Sequence, residues 1–194
     1  MDLYELFAEI LDYPGPRLAA STENCAGRLA RKLPKAEELL RNFQKSHAGV
    51  SLSQLQEAYT SIFDMQPECT LNLGYQLLGD DWRRSVFLFK LKELYQAHNF
   101  DIGCELPDHL CVLLRFLATQ PEDREAAALV DDGLVPVLSR LASGLQLSET
   151  PYRWVLQALL SWLRANQSSR ERACGNRERE PVTTTTPAPE EQMS

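Results

Sequence analysis

Helical periodicity runs through almost the whole chain and limits its fold more than any other feature. Apolar residues recur at spacings of three and four between residues 2 and 164, which places them on one face of each helix. The first such stripe consists of Leu3, Leu6, Phe7, Ile10 and Leu11. Alternating runs rich in β-branched residues, which would indicate strands, are missing from the sequence. The sequence therefore predicts an all-α fold, a single globular bundle of about eight to ten helices.

Prolines, glycines and candidate capping residues divide this pattern into segments. Predicted helices span residues 2–12, 35–46, 81–98 and 151–164, and another starts at 121–123 and includes 126–130. Helix starts are expected at Ser21 or Thr22, Ser51 or Ser53, Asp80 or Asp81, Pro107, Pro136 and Thr150, with an interruption at Gly133. The helix over 81–98 is expected to bury Val86, Phe87, Leu91, Leu94, Tyr95 and the stem of Lys90.

The composition changes after about residue 165, where apolar residues become rare and charges alternate. Such a segment buries too little apolar surface to offset its ordering entropy. The sequence therefore predicts a helical domain over residues 1–167 and a disordered polar tail over 168–194, with a helical extension at the start of the tail as the alternative.

The charge balance excludes some classes of partner. The 194 residues include 27 acidic and 20 basic ones, for a net charge of −7, and nucleic acid binding requires a basic face. No apolar run approaches the length of about 18 residues that a membrane span needs, so direct membrane insertion is not expected. An acidic N-terminus and five cysteines without paired spacing predict a cytoplasmic protein with reduced thiols.

The stretch from Tyr59 to Arg84 departs from regular helical patterning. Pro67 disfavours a helical conformation at the residue before it, and a second apolar run ends at Gly79, a predicted helix-terminating glycine. The break gathers an acid, a thiol and aromatic side chains, and two arginines follow. Packing alone does not require this mixture, so the stretch is the first candidate functional region.

Two sequence motifs resemble those of a known family. The first reads Tyr-x3-Phe-Asp-x2-Pro-Glu-Cys-x-Leu-x3-Tyr-x-Leu-x-Gly-Asp-Asp-x-Arg-Arg over residues 59–84 and resembles the signature of the respiratory nitrate reductase delta-subunit family of the NarJ type. The second, Glu-Leu-Pro-Asp-His-Leu over residues 105–110, resembles that family's second signature and the Glu-Pro-x-Asp-His box of the related Tor/Dms-type chaperones. The resemblance covers residues 1–164.

Members of that family are maturation chaperones for molybdenum enzymes. The resemblance implies a partner, the apo catalytic molybdenum subunit of a nitrate-reductase-like enzyme, bound through its N-terminal peptide. The chaperone would keep this client subunit open for insertion of its molybdenum cofactor and delay export or membrane docking. The chain itself is expected to carry no cofactor, to be a monomer or weak dimer, and not to be an enzyme.

The resemblance also indicates which residues would contact the client. Tyr59 and Phe63 lie four apart on one helical face, so they either belong to the core or form the floor of a groove for a partner helix. Asp64 at the rim would then meet a basic side chain, and a raised pKa would make His109 a pH-sensitive contact. The full candidate set is Tyr59, Phe63, Asp64, Glu68, Tyr75, Asp80, Arg83, Glu105, Asp108 and His109.

A purely structural interpretation of the charged candidates remains open. Carboxylates cap or stabilise the starts of helices, and the arginines pair with them at the surface. Under this interpretation the acids of both motifs, including Glu105 and Asp108, would stabilise helix N-termini and contact no partner.

Metal binding and catalysis are not indicated by the sequence. The spacing of Cys104, His109 and Cys111 matches no zinc pattern. Cys69 follows two acids, which would raise its pKa and oppose thiolate formation, and no glycine-rich phosphate loop is present. A structural accessory subunit retained in the mature enzyme is the alternative function, and a small helical enzyme is a weaker one.

Overall fold

A computed structural model describes residues 2–119, 124–145 and 150–177. These residues form ten α-helices, two π-helical turns and one 3-10 helix. Within the described ranges there is one isolated β-bridge and no strand. The all-α prediction is confirmed. The α-helices are α1 (Leu3–Leu11), α2 (Leu18–Leu29), α3 (Pro34–Ser46), α4 (Leu52–Tyr59), α5 (Leu73–Leu78), α6 (Trp82–Ala97), α7 (Leu110–Thr119), α8 (Arg124–Ala128), α9 (Val135–Leu145) and α10 (Tyr152–Arg177). The π-helical turns are Thr60–Asp64 and Leu129–Leu134, and the 3-10 helix is Pro67–Cys69.

One contiguous core holds these helices together. α7 is apolar over most of its circumference, so most of it must be covered, and its residues from Leu110 to Leu114 are at most 3% exposed. It packs against α1, which also packs against α2, while α10 packs against α3 and α9. The two motifs lie on segments that enter this core, which fixes their relative positions.

Three predicted helix ends are confirmed. The hydroxyl of Ser51 accepts from the N–H of Gln54 and forms a complete capping box with that side chain. The carboxylate of Asp81 accepts from the N–H of Arg83 at the start of α6. Gly79 ends α5 with a φ of 67°, in the left-handed region that favours glycine.

Two other predicted helix starts are wrong, and at a third the helix begins within one residue of the predicted position but the predicted side-chain cap is not made. Ser21 and Thr22 lie inside α2, which begins at Leu18, and their buried hydroxyls bond to the Glu9 side chain and the Leu18 carbonyl instead. The hydroxyl of Thr150 has no hydrogen-bond partner among the described residues, so it does not cap α10. Pro107 precedes α7 by three residues, because the backbone around Asp108 pairs with the first motif before the helix begins.

The structure also differs from the sequence prediction at one interior glycine and at the predicted start of the tail. Gly133 does not break the helix but lies in the second π-helical turn, where a Cβ atom would come within 3.3 Å of Leu73 Cδ2. α10 continues past the predicted domain boundary at residue 167 and ends at Arg177. Of the two alternatives for the start of the tail, the helical extension is therefore the one observed. The predicted helix start at 121–123 and the predicted disorder over 178–194 lie outside the described residues. Within the described part of the chain, no helix is long and apolar enough to cross a bilayer.

Candidate peptide-binding site

The first motif begins where α4 passes directly into the π-helical turn Thr60–Asp64. The N–H of Met65 donates to the carbonyl of Thr60 over 3.1 Å, an i to i+5 bond that widens the helix at this point. π-helical turns recur at functional sites. The wide turn ends the helix and places Phe63 and Asp64 at the edge of a cleft.

Tyr59 and Phe63 are both anchored in the core. They are 5% and 4% exposed, and their rings meet edge to face, with centroids 4.9 Å apart. The phenol of Tyr59 donates to the carbonyl of Leu11 over 2.9 Å, and burial raises the pKa of that phenol. Of the two roles that the sequence left open, core packing applies to Tyr59, whereas Phe63 also lines the cleft.

A cleft of about 380 Å³ opens between the π-helical turn and α5. We call it the motif cleft, and its lining residues are Phe63, Asp64, Pro67, Thr70, Asn72 and Tyr75. The loop along its edge is held by Gln76, whose side-chain amide donates to the carbonyls of Glu68 and Thr70, both over 3.0 Å. The cleft therefore has aromatic rings and hydrogen-bond acceptors on a fixed frame.

Asp64 is exposed at the last position of the π-helical turn. This is the C-terminal end of a helix, where the dipole disfavours a carboxylate, so capping of a helix start does not explain this acid. No hydrogen bond or ion pair with the described residues engages its carboxylate. Asp64 is thus an acceptor at the rim that remains available to a ligand.

Asp108 of the second motif is fully buried against the first motif. Its Oδ2 accepts from the N–H of Gly74 over 3.1 Å and from Nε of Arg84 over 3.2 Å. A Cβ atom on Gly74 would lie only 2.8 Å from that oxygen and 2.9 Å from Phe87 Cδ1, so glycine is required there. We call Gly74, Arg84 and Asp108 the interlock. Because Asp108 is 0% exposed, it can position the cleft but cannot touch a client in this conformation.

Arg84 connects the interlock to the motif cleft. Its guanidinium lies over the ring of Tyr75, 5.6 Å from the centroid, a distance at which cation–π attraction acts. The structural interpretation that the sequence left open would pair Arg84 at the surface, whereas its partner is the buried Asp108. Only Arg83 pairs locally at the surface, with Asp81 over 3.0 Å.

A short backbone bridge joins the two motifs next to the interlock. Asn72 and His109 face each other in it, with the N–H of Leu73 donating to Asp108 over 2.7 Å and that of Leu110 donating to Leu71 over 2.8 Å. Such a pair places its two side chains on the same side, with Cα atoms about 4.5 Å apart. His109 therefore lies beside the lining residue Asn72.

The environment of His109 does not supply the raised pKa that a pH-sensitive contact would need. Burial lowers the pKa of its imidazole, and the nearby carboxylates of Glu105, Asp12 and Asp108 oppose this only partly. The buried Nδ1 of His109 and Oδ1 of Asn72 both lack a hydrogen-bond partner within the described residues. The lowered pKa favours the neutral imidazole of His109.

The other candidates lie away from the motif cleft. Glu68 is exposed and lines a separate cavity with Arg140 and Leu141. Asp80 and Arg83 are exposed at the start of α6, and Glu105 is exposed before α7. The structure thus brings Phe63, Asp64 and Tyr75 together around one cleft, with Asp108 and His109 behind it.

Sequence reasoning missed Asn72, Thr70 and Arg84 as parts of the site. Arg84 stands in the first motif, and its position there was the available signal. Asn72 and Thr70 occupy positions that this motif leaves unspecified, and only the folded structure places them in the lining of the cleft.

Of the four cysteines in the part of the chain that the structure describes, three are buried and Cys104 is exposed. Cys25, Cys69 and Cys111 are buried and unpaired, and burial raises the pKa of all three thiols, that of Cys25 to about 12. Within the described ranges, no three His, Cys, Asp or Glu side chains are grouped so that they could hold a metal ion.

The family model described as nitrate reductase delta subunit matches residues 26–153, which include both motifs, the interlock and the motif cleft. The chain belongs to the nitrate reductase delta subunit family. The family resemblance of the two motifs is therefore confirmed.

Named relatives agree with this assignment. "Nitrate reductase molybdenum cofactor assembly chaperone NarJ" of Escherichia coli K12 is 26% identical over 159 residues, which are 80% of this chain and 66% of that protein. A Bacillus subtilis protein, "Probable nitrate reductase molybdenum cofactor assembly chaperone NarJ", is 32% identical over 128 residues, 66% of this chain and 68% of that protein. The chain thus spans about two thirds of the length of these relatives.

A solved structure shows the same fold. It comes from Archaeoglobus fulgidus and is described as that of a redox enzyme maturation protein. It superposes with a TM-score of 0.57 and 21% identity, over 83% of this chain and 91% of that one. At this identity the likeness concerns the fold alone.

Proposed function

We propose that this chain is a cytoplasmic maturation chaperone for the catalytic subunit of a nitrate-reductase-like molybdenum enzyme. It binds the N-terminal segment of the apo subunit and keeps that subunit competent for molybdenum cofactor insertion before export or membrane docking. The names of the relatives in Escherichia coli and Bacillus subtilis support the chaperone role. The proposal assigns the chain itself no catalytic step and no cofactor.

The observation that carries the proposal is the unpaired carboxylate of Asp64 at the rim of the motif cleft. Helix capping does not account for it, and its charge is unfavourable where it stands. Phe63 and Tyr75 add aromatic surface beside it. A peptide that combines a basic side chain with an apolar helical face matches both features, because the basic group neutralises Asp64 while the apolar face covers the rings.

The interlock gives this cleft a fixed shape. Asp108, Gly74 and Arg84 tie α5 and α6 to the segment before α7, so a bound peptide does not have to order the cleft first. Preorganisation of this kind lowers the entropic cost of binding. Asp108 and His109 therefore contribute to client binding by positioning the first motif.

Calorimetric titration with a synthetic N-terminal peptide of the organism's own nitrate-reductase-like catalytic subunit tests this proposal. Asp64→Ala is expected to weaken binding about five- to a hundredfold, which corresponds to about 1–3 kcal/mol for a partly desolvated charged pair. The loss should shrink at high salt, because part of the attraction is screened.

Two controls make the result specific. Glu57→Ala removes an exposed carboxylate from α4 outside the motif cleft and should leave peptide affinity unchanged. A urea melt of Asp64→Ala should show stability within about 0.5 kcal/mol of the parent. Equal affinities for parent and Asp64→Ala would remove the motif cleft as the peptide site.

A further inference from the structure

α6 carries apolar side chains on its outer face as well as on the face that meets the core. Trp82, Val86 and Phe89 are 74%, 41% and 61% exposed. Their spacings of four and three residues place them in one stripe, which we call the outer stripe. Leu91 and Tyr95, on the opposite face, are 4% and 1% exposed. A helix that is apolar on both faces normally has both faces covered, so the outer stripe indicates a further surface contact.

The outer stripe forms a projecting ridge, because Trp82 and Phe89 keep more than half of their surface in water. A protein partner would need a complementary groove to receive such a ridge, whereas the boundary between lipid headgroups and acyl chains is fluid and adapts to it. Tryptophan is enriched at that boundary, since its ring is apolar and its N–H is polar. The residue types of the stripe therefore favour a lipid surface.

Two lysines flank the outer stripe, one on each side. At about 100° per residue, Lys90 and Lys92 lie about 80° from Trp82 in opposite directions around α6. Both are exposed, and no ion pair with the described residues engages their ammonium groups. A lysine stem lies along apolar surface while its ammonium group reaches the headgroups. Aromatic residues between cations are typical of helices that lie on a membrane surface, and the two cations are complementary to anionic phospholipid.

Acidic side chains lie at both ends of the outer stripe. Glu93 is exposed one turn after Phe89, whereas Asp81, before Trp82, pairs with Arg83 over 3.0 Å. Charges more than about 8 Å from the headgroups are largely screened at physiological salt. The lysines beside the stripe therefore influence membrane contact more than the net charge of −7 does.

We propose that the outer stripe of α6 binds the surface of a membrane that contains anionic phospholipid. Trp82 and Phe89 enter the boundary between headgroups and acyl chains, and Lys90 and Lys92 bind lipid phosphate groups on either side. α6 lies on the surface, since its 16 residues are too few to cross a bilayer.

This membrane contact leaves the motif cleft open. Arg84, which connects the interlock to the cleft, lies about 200° around α6 from Trp82. The cleft therefore lies on the side of α6 that faces away from the membrane. The inference goes beyond the proposed client binding and does not depend on it.

The small size of the outer stripe makes the contact weak and reversible. Three side chains and two cations should give a binding constant on the order of 10³ M⁻¹, below the value of about 10⁴ M⁻¹ for a single myristoyl chain. Binding should therefore be measured at lipid concentrations of a few millimolar.

Flotation of the full chain with lipid vesicles tests the proposal. Vesicles of equal parts phosphatidylglycerol and phosphatidylethanolamine should carry the protein, and vesicles of phosphatidylcholine alone should carry much less, because the lysines contribute only on an anionic surface. Trp82→Ala should weaken binding about tenfold or more, with an unchanged midpoint in a urea melt, since this side chain is exposed. Leu106→Ala, at an apolar residue that is 47% exposed outside α6, should bind like the parent.

Single charge changes test the orientation of α6 on the membrane. Lys90→Gln and Lys92→Gln should each weaken binding to the anionic vesicles about fivefold, and added salt should reduce these effects. Glu93→Gln should strengthen binding about two- to fivefold, because it removes an acid next to the stripe. Unchanged binding in all three variants would overturn this orientation.

Two outcomes would overturn the membrane contact as a whole. One is a parent chain that does not float with the anionic vesicles at about 5 mM lipid, where the expected binding constant predicts that most of it is bound. That result would leave the outer stripe to a protein partner. The other is equal binding of the parent and Trp82→Ala, which would place the contact elsewhere on the molecule.

Discussion

The motif cleft and the interlock each contain one aspartate, and the two aspartates lie in opposite surroundings. Asp64 is exposed at the rim of the cleft without a partner in the described structure. Asp108 is 0% exposed and accepts hydrogen bonds from Gly74 and Arg84. A carboxylate buried away from water needs a charged or hydrogen-bonding partner, because its desolvation is costly. A carboxylate exposed at the rim is solvated and needs no partner in the free protein. Under the proposed function, the interlock therefore fixes the shape of the motif cleft, and the cleft provides the contacts with the client.

The largest expected effect breaks the interlock. Asp108→Ala leaves Arg84 without its carboxylate and the N–H of Gly74 without its acceptor, so the free energy of unfolding should fall by about 3 kcal/mol. Asp64→Ala serves as the matched variant, with a change within about 0.5 kcal/mol. Urea melts of both variants measure the difference. Equal losses would show that the two aspartates do not differ in role.

A steric change at the same place should have a somewhat smaller effect. Gly74→Ala introduces a methyl group 2.8 Å from Asp108 Oδ2, and the resulting shift should cost about 2 kcal/mol. Gly27→Ala is the control, because nothing lies within 4 Å of its Cβ position in α2. That helical substitution should stabilise the protein by about 0.5–1 kcal/mol. If thermal melts showed that both substitutions change stability in the same direction, the close approach of Gly74 to Asp108 would be contradicted.

The stability of the protein should depend on pH through His109, which lies behind the motif cleft. Burial lowers the pKa of His109, so the folded state binds a proton less readily than the unfolded state. Stability is then fully present above the ordinary histidine pKa of about 6.5 and falls as the pH drops below it towards the folded value. His47 has a lowered pKa for the same reason.

Urea melts at pH values of about 7.5 and about 5.5, on either side of the ordinary histidine pKa, measure this change in the free energy of unfolding. Between the higher and the lower pH, the free energy of unfolding should fall less in His109→Gln than in the parent. His47→Gln should reduce the loss as well, because the sign of its shift is the same. A parent whose stability rises as the pH falls would reverse the assigned direction for His109.

The smallest expected effect concerns the end of α10, far in sequence from both regions. Truncation after Gln167 removes the last turns of the helix, whose residues Ser168 and Ser169 are exposed. The thermal midpoint should change by no more than about 2 °C, because little buried surface is lost. A drop of about 10 °C would show that this segment packs on the domain.

The sequence was a good guide wherever local chemistry decides the structure. The period of the apolar residues was enough for the helices, and Ser51, Gly79 and Asp81 end or begin their helices as their side chains suggest. It was a poor guide where tertiary contacts compete with the local preferences of the residues. Ser21 and Thr22 are capping residues by type, yet they lie inside α2, because contacts with Glu9 and the Leu18 carbonyl satisfy their hydroxyls there.

α6 and α7 show the same limit on a larger scale. Both helices are rich in apolar residues, and the sequence predicted that Val86 turns inward. The structure instead leaves Val86 41% exposed, on the same face as Trp82 and Phe89, while α7 buries every residue from Leu110 to Leu114. Apolar content alone does not tell which face of a helix meets the core when more than one face is apolar.

By itself the sequence determined the all-α class, most helix positions and the two motifs that place the chain in its family. Only the tertiary structure decided that Asp108 is buried, that Arg84 is its partner, and that Asn72 faces His109 across the bridge. These contacts join residues more than twenty positions apart, and no local rule links them. Their physical basis is that a buried carboxylate requires donors, which come from whichever segment the fold brings within hydrogen-bonding distance.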